Sequence, residues 1–147
     1  TVVTPLNIAY WERNLNCNID SLIGTHVTDK DVIVIRLGEN VQDKEAFKSG
    51  ILRLVEYCKR KADKVVITGC FWKDEEKERA IINAAHMYGL TYIPIDWIDR
   101  LYDSRPKVGD TLYDIHGKPY TVTKDFIIAH PDDEGMKKIA EAIYRVL

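Results

Sequence analysis

The chain has 147 residues, 46% hydrophobic and 30% charged, with a net charge of −2 and a pI near 6.1. That length accommodates one domain with a substantial core, and residues 1–147 read as a single domain without linker, repeat or low-complexity tract. No basic excess argues for nucleic acid, and no apolar run reaches the roughly 18 to 20 residues that a membrane span needs. The three cysteines, Cys17, Cys58 and Cys70, are an odd count and lack zinc-knuckle or redox spacing, so Cys58 and Cys70 read as small buried hydrophobes.

Residues 2–9 suit a strand with an edge-like Pro5. Residues 13–23 place Leu15, Ile19, Leu22 and Ile23 at helical spacing, and Gly24 closes the segment. Residues 31–37 (DVIVIRL) form a continuous apolar run of the kind buried on both faces of a parallel sheet. Phe47, Ile51, Leu54, Val55 and Cys58 then line one face of a helix starting near Asp43. Residues 64–70 (KVVITGC) predict a strand. A helix over 74–88 follows, with an acidic first turn and Gly89 as its C-cap. Residues 91–95 predict another strand, and 113–123 a hairpin turning at His116-Gly117-Lys118-Pro119. Met136, Ile139, Ala140, Ile143 and Val146 form the stripe of a last helix capped by Asp132 or Asp133.

This alternation at crossover spacing predicts a three-layer α/β/α sandwich. Ligands of such sheets bind beyond the carboxyl ends of the strands. Gly38-Glu39-Asn40 follows one strand and Phe71-Trp72 the next, which places both on that edge. Gly permits a close backbone approach, and the Asn carboxamide is a neutral N–H donor suited to a developing oxyanion. A plain strand-to-loop turn uses the same residue types. His130-Pro131-Asp132-Asp133-Glu134-Gly135-Met136 sets an imidazole before a helix N-terminus, whose positive end favours the neutral, proton-accepting ring. A polar residue in an N-terminal turn is the alternative. Trp11 and Trp72 near strand ends suit stacking on a sugar or acyl group, or capping of the core. His26, His86 and His116 show no convergent ligand spacing. Asp110, Asp114, His116 and Asp125 read as solvated groups around a hairpin rather than a cation site, since hard cations need six or more oxygens.

Two blocks, DVIVIRLGEN and AHPDDEGMKKIAEAI, in this order and separation, resemble the C-terminal part of SGNH hydrolases, the GDSL-type esterases and lipases. The resemblance runs from the first predicted strand to the last helix. It implies a flavodoxin-like parallel sheet, a serine nucleophile, a His base and an oxyanion hole of backbone and Asn donors. His130 resembles the base, and Gly38 and Asn40 the third block; Trp11, Glu39 and Trp72 are the candidate substrate contacts. The implied activity is hydrolysis of carboxylic esters, including acetyl groups on carbohydrate, without cofactor or metal. The alternative is a non-catalytic relative that binds glycans or protein partners. A flavodoxin-like nucleotide or signalling domain is disfavoured, because no Gly-rich phosphate loop follows the first strand.

The chain departs from the pattern in three places. Asn7-Ile8-Ala9-Tyr10-Trp11-Glu12-Arg13 stands where the family contributes an oxyanion-hole Gly, and it contains none. Ile127 stands where an Asp usually precedes the His by three residues, leaving a backbone carbonyl as the alternative partner of His130. No nucleophile block precedes the first strand. Ile19-Asp20-Ser21-Leu22 mimics Gly-Asp-Ser-Leu but belongs to a helical stripe and lies too close to Gly38. The expectation is therefore that the strand bearing the serine is missing here, supplied by an upstream segment or a partner chain that completes the sheet.

Overall fold

The structure is a computed structural model that describes residues 2–28 and 30–147, without the side chains of residues 30, 31, 125 and 126. Thr1 and the Asp125 side chain lie outside the described residues. The fold is mixed α/β and divides into two compact units, Thr1–Pro94 and Ile95–Leu147.

The first unit contains helices α1 (Ala9–Arg13) and α2 (Ile19–Ile23), then β1 (Lys30–Ile35), α3 (Lys44–Lys59), β2 (Ala62–Thr68), α4 (Glu75–Tyr88) and β3 (Thr91–Ile93). The strands form one open parallel sheet in the order β1-β2-β3, with Ile35 opposite Ile67 and Ile67 opposite Tyr92. Parallel neighbours need crossover connections, and α3 and α4 supply them. Their apolar stripes meet: Phe47, Ile51, Leu54 and Val55 join Ile81, Ala84 and Ala85 over Ile35, Val65 and Ile67 in one buried cluster. Alternation along a strand sends the intervening residues to the other face. There Val32 and Val34 remain 38% and 39% exposed, so β1 is covered on one face rather than on both as its composition suggested.

Both long helices begin where their caps dictate. Asp43 accepts the Ala46 N–H at 2.9 Å, and Asp74 accepts those of Glu76 and Lys77, each at 3.2 Å. Gly89, at φ 63°, ends α4 in the left-handed conformation. Burial works to raise the Asp74 pKa, but the Lys44 ammonium at 2.9 Å and the Lys77 N–H outweigh it and hold the carboxyl below its ordinary value. A depressed folded-state pKa contributes stability above the ordinary carboxylate range that is lost as pH falls through it. Asp74→Ala is therefore expected to destabilise the protein by about 1 kcal/mol at neutral pH through loss of the cap. The gap to wild type should narrow in urea unfolding at pH 3.

Two N-terminal expectations are corrected. Residues 2–7 are exposed coil, with Val2 at 92% and Val3 at 81%. A strand is defined by its ladder, and the described residues offer this segment none; Pro5 also lacks an N–H to contribute. The helix expected over 13–23 is reduced to α2. Asn14 ends α1 by donating its N–H to the Trp11 carbonyl, and the Asn18 side chain accepts the Ser21 N–H to start α2. Asn side chains compete for backbone groups and favour such breaks over a continuous helix. The predicted apolar positions are still used: Leu15 and Ile23 are buried.

The second unit holds α5 (Asp96–Asp99), the antiparallel pair β4 (Thr111–Tyr113) and β5 (Pro119–Thr121), α6 (Asp125–Ile128) and α7 (Asp133–Tyr144). The hairpin closes at Gly117, as its turn residues predicted. Asp132 is the cap of α7, accepting the Gly135 N–H at 2.8 Å. The start of α7 is pinned to the loop before the hairpin. Asp132 donates its N–H to the Ser104 carbonyl at 3.0 Å, and Gly135 approaches that carbonyl so closely that any side chain would collide with it. No helix among the described residues is long and apolar enough to cross a membrane.

Candidate functional site

At the carboxyl end of β1 the chain turns through Gly38, whose φ is 122°. L-residues rarely adopt that conformation, and a Cβ here would also stand 2.9 Å from the Cys70 sulfur at the end of β2. The glycine is thus required twice over, by backbone angle and by the neighbouring strand. The turn closes with the Val41 N–H donating to the Gly38 carbonyl, and Val41 is buried.

The turn gathers its donors on one carboxylate. The Gly38 N–H lies 2.5 Å from Glu12 Oε1, and the Asn40 N–H lies 3.3 Å from the same oxygen. The Asn40 carboxamide donates through Nδ2 to Glu12 Oε2 at 2.7 Å. Glu12 is 4% exposed, and burying a carboxylate is costly unless donors replace its water. Three N–H groups from one tripeptide provide that replacement, as charge-assisted hydrogen bonds. Gly38 and Asn40, paired by the sequence as donors to an anionic oxygen, do converge on one carboxylate; it belongs to the protein itself.

Glu39, between them, turns toward β2 and accepts the Phe71 N–H at 2.6 Å. Burial pushes its pKa above the ordinary value, against the Phe71 hydrogen bond and the charges of Arg36 and Lys77. The largely buried Lys77 reaches the Glu39 carbonyl at 3.4 Å. Cys70 is nearby but chemically quiet: burial first, then the Glu39 and Glu78 carboxylates, push its thiol up to about 12. A thiol held protonated is no nucleophile. Burial raises Cys58 to about 12 as well, in keeping with a hydrophobic role.

The remaining sequence candidates divide. Trp11 is fully buried, edge-on to Phe47 with ring centroids 6.1 Å apart, so it is a core residue with no face for a ligand. The same helix that buries it delivers Glu12 to the turn. Trp72 is half-buried after β2, edge-on to the buried Phe71 at 6.0 Å. His130 belongs to the second unit, exposed between α6 and α7, and its backbone N–H donates to the Ile127 carbonyl at 3.1 Å. The chain's three serines are Ser21 inside α2, Ser49 inside α3 and the buried Ser104 in a loop, so none ends a strand. Among the described residues no group of three or more His, Cys, Asp or Glu is placed to hold a metal ion.

Sequence reasoning missed Glu12, although a signal was present. Ile8, Trp11 and Leu15 recur at helical spacing, and Glu12 falls within that stripe as its single acid. A charge on an apolar face must find donors inside the fold. Comparison with protein-family models finds no match to this chain, and comparison with curated proteins finds none either.

Proposed function

We propose that this chain is the C-terminal portion of an SGNH-type hydrolase, a three-layer α/β/α enzyme that cleaves carboxylic esters, a class that includes acetyl groups on carbohydrate. The observation that supports the reading is the Asn40 carboxamide, which donates to an anionic oxygen, that of Glu12, at the carboxyl end of a parallel strand and has a second proton to offer. A tetrahedral intermediate develops its charge on oxygen, and a preorganised donor stabilises it by about 3 kcal/mol. In this reading Asn40 polarises the ester carbonyl and His130 takes the proton of a serine, later returning it to the leaving alcohol. The serine comes from a strand outside these 147 residues, laid along β1, which pairs on one side only among the described residues. A parallel sheet edge left bare exposes unpaired backbone donors and acceptors, and Val32 and Val34 add apolar surface beside it.

The test uses the full-length gene product. It is expected to hydrolyse short-chain aryl esters and to be labelled once by a serine-directed phosphonate, upstream of Thr1. Absence of both turnover and labelling would refute the proposal.

One observation favours a second reading. A carboxylate already seated among the donors, together with Ile127 in place of an acid, suits a non-catalytic relative that binds glycans through the same edge. Soluble glycan binding without labelling or turnover separates the two.

A further inference from the structure

Glu12 does more than fill space at the turn. A carboxylate accepts hydrogen bonds and donates none, so at 2.7 Å it tolerates only the NH2 side of the Asn40 carboxamide. The flipped rotamer would set Asn40 Oδ1 against a carboxylate oxygen at the same distance, two acceptors without a proton between them. The choice between carboxamide orientations, which an exposed Asn makes freely, is thus made by Glu12. One proton of the NH2 group is consumed, and the second is held in a defined direction beside it. At the same time the Gly38 N–H, at 2.5 Å from the other carboxylate oxygen, is committed to Glu12 and cannot serve a ligand. Two strong bonds to the two oxygens of one buried carboxylate fix both ends of the Gly38–Asn40 turn.

From this we propose that Glu12 is a positioning residue, which locks the Asn40 carboxamide as a donor and so sets the oxyanion-stabilising group of the hydrolase. The inference about catalysis rests on the proposed function; the inference about Asn40 does not. It also corrects the division of labour between the two donors. Asn40 is the group with a proton to offer, and Gly38 acts by letting the turn close against Cys70 and by anchoring it to Glu12.

Glu12→Gln separates positioning from packing, because it keeps the shape of the side chain. The introduced glutamine can accept the Gly38 N–H through its oxygen, but its NH2 would then face Asn40 and draw the Asn40 oxygen toward it. In nuclear magnetic resonance spectra of the full-length protein, the two Asn40 carboxamide protons of wild type are expected to be resolved, the bonded one exchanging more slowly with water. In the variant this protection is lost and reappears on the carboxamide of the introduced glutamine. In the full-length hydrolase the same substitution lowers kcat about 100-fold with KM unchanged, the signature of a lost transition-state donor.

Protection retained at Asn40 in a folded Glu12→Gln protein overturns the proposal, whatever the activity. Loss of protection with kcat unchanged overturns its catalytic part. If the variant does not fold, wild type alone decides: two Asn40 protons exchanging equally fast would refute a bond to Glu12. A full-length wild type without esterase activity removes the hydrolase reading, and the spectra still judge Glu12 by themselves.

Discussion

On the proposed esterase reading, His130→Ala in the full-length protein is expected to lower kcat by about 10⁴-fold or more, and Asn40→Ala by about 10²- to 10³-fold. The difference follows from the two roles. A serine hydroxyl is a weak nucleophile at neutral pH, so losing the group that takes its proton removes covalent catalysis almost entirely. An oxyanion donor contributes a fraction of the barrier, and its loss leaves the nucleophile working. Asn40→Asp sharpens the argument. It would set a second carboxylate beside Glu12 and offer no proton to an oxyanion, so its activity should fall at least as far as that of the alanine variant. Steady-state kinetics on an aryl ester check all three, with unfolding midpoints to show that the proteins remain folded. The double variant His130→Ala/Asn40→Ala should fall clearly below His130→Ala alone, since the catalysis that survives loss of the base comes from the oxyanion donors. Activity within about threefold of wild type after His130→Ala would remove His130 from the mechanism.

The largest effect on stability is expected at Gly38. Gly38→Ala meets two penalties at once: a φ of 122° that L-residues avoid, and a Cβ 2.9 Å from the Cys70 sulfur, itself buried between strand and helix. Backbone strain of this kind costs about 1 to 3 kcal/mol, and overpacking adds a similar amount, for a total of about 2 to 6 kcal/mol. Gly89→Ala is the natural control. Its φ of 63° is also left-handed, but nothing lies within 4 Å of the added carbon, so it should cost about 1 kcal/mol. Urea unfolding of both variants measures the difference as a shift in midpoint at constant slope. Adding Cys70→Ala to Gly38→Ala should cost less than the two single changes together, because the collision disappears with the sulfur. Equal losses at Gly38 and Gly89 would show that the contact with Cys70 carries no weight.

Where the sequence was readable, the reason lies in local chemistry. The helix from Lys44 to Lys59 could be read from one stripe and one Asp, because a capped amphipathic segment carries both its boundary and its buried face in its own residues. The helix from Glu75 to Tyr88 added Gly89 as a stop, and the last helix added Asp132 as a start. The short parallel strands were readable as apolar runs set between those helices. The N-terminal segment was not readable in the same way. Residues 2–9 have strand composition, but strand formation depends on a partner elsewhere, and composition carries no record of whether that partner is present. Trp11 shows the same limit at one side chain: its position near a predicted strand end suited a ligand, and its packing against Phe47 makes it core.

The donors at Gly38 and Asn40 were legible because a glycine and an asparagine directly after a buried strand leave N–H groups at its carboxyl end. Their common acceptor was not. Glu12 lies 26 positions from Gly38, and it reaches the turn only because α1 buries Trp11 beside it and leaves the neighbouring carboxylate nowhere to go but the Gly38–Asn40 amides. The order of the main helices and strands from β1 onward was thus determined by the sequence alone, since capping, periodicity and turn chemistry act over a few residues. The fold decided which face of β1 stays bare, which tryptophan is buried and which oxygen the donors hold. Those outcomes depend on desolvation and on partners distant along the chain, and both come into being only when the chain is packed.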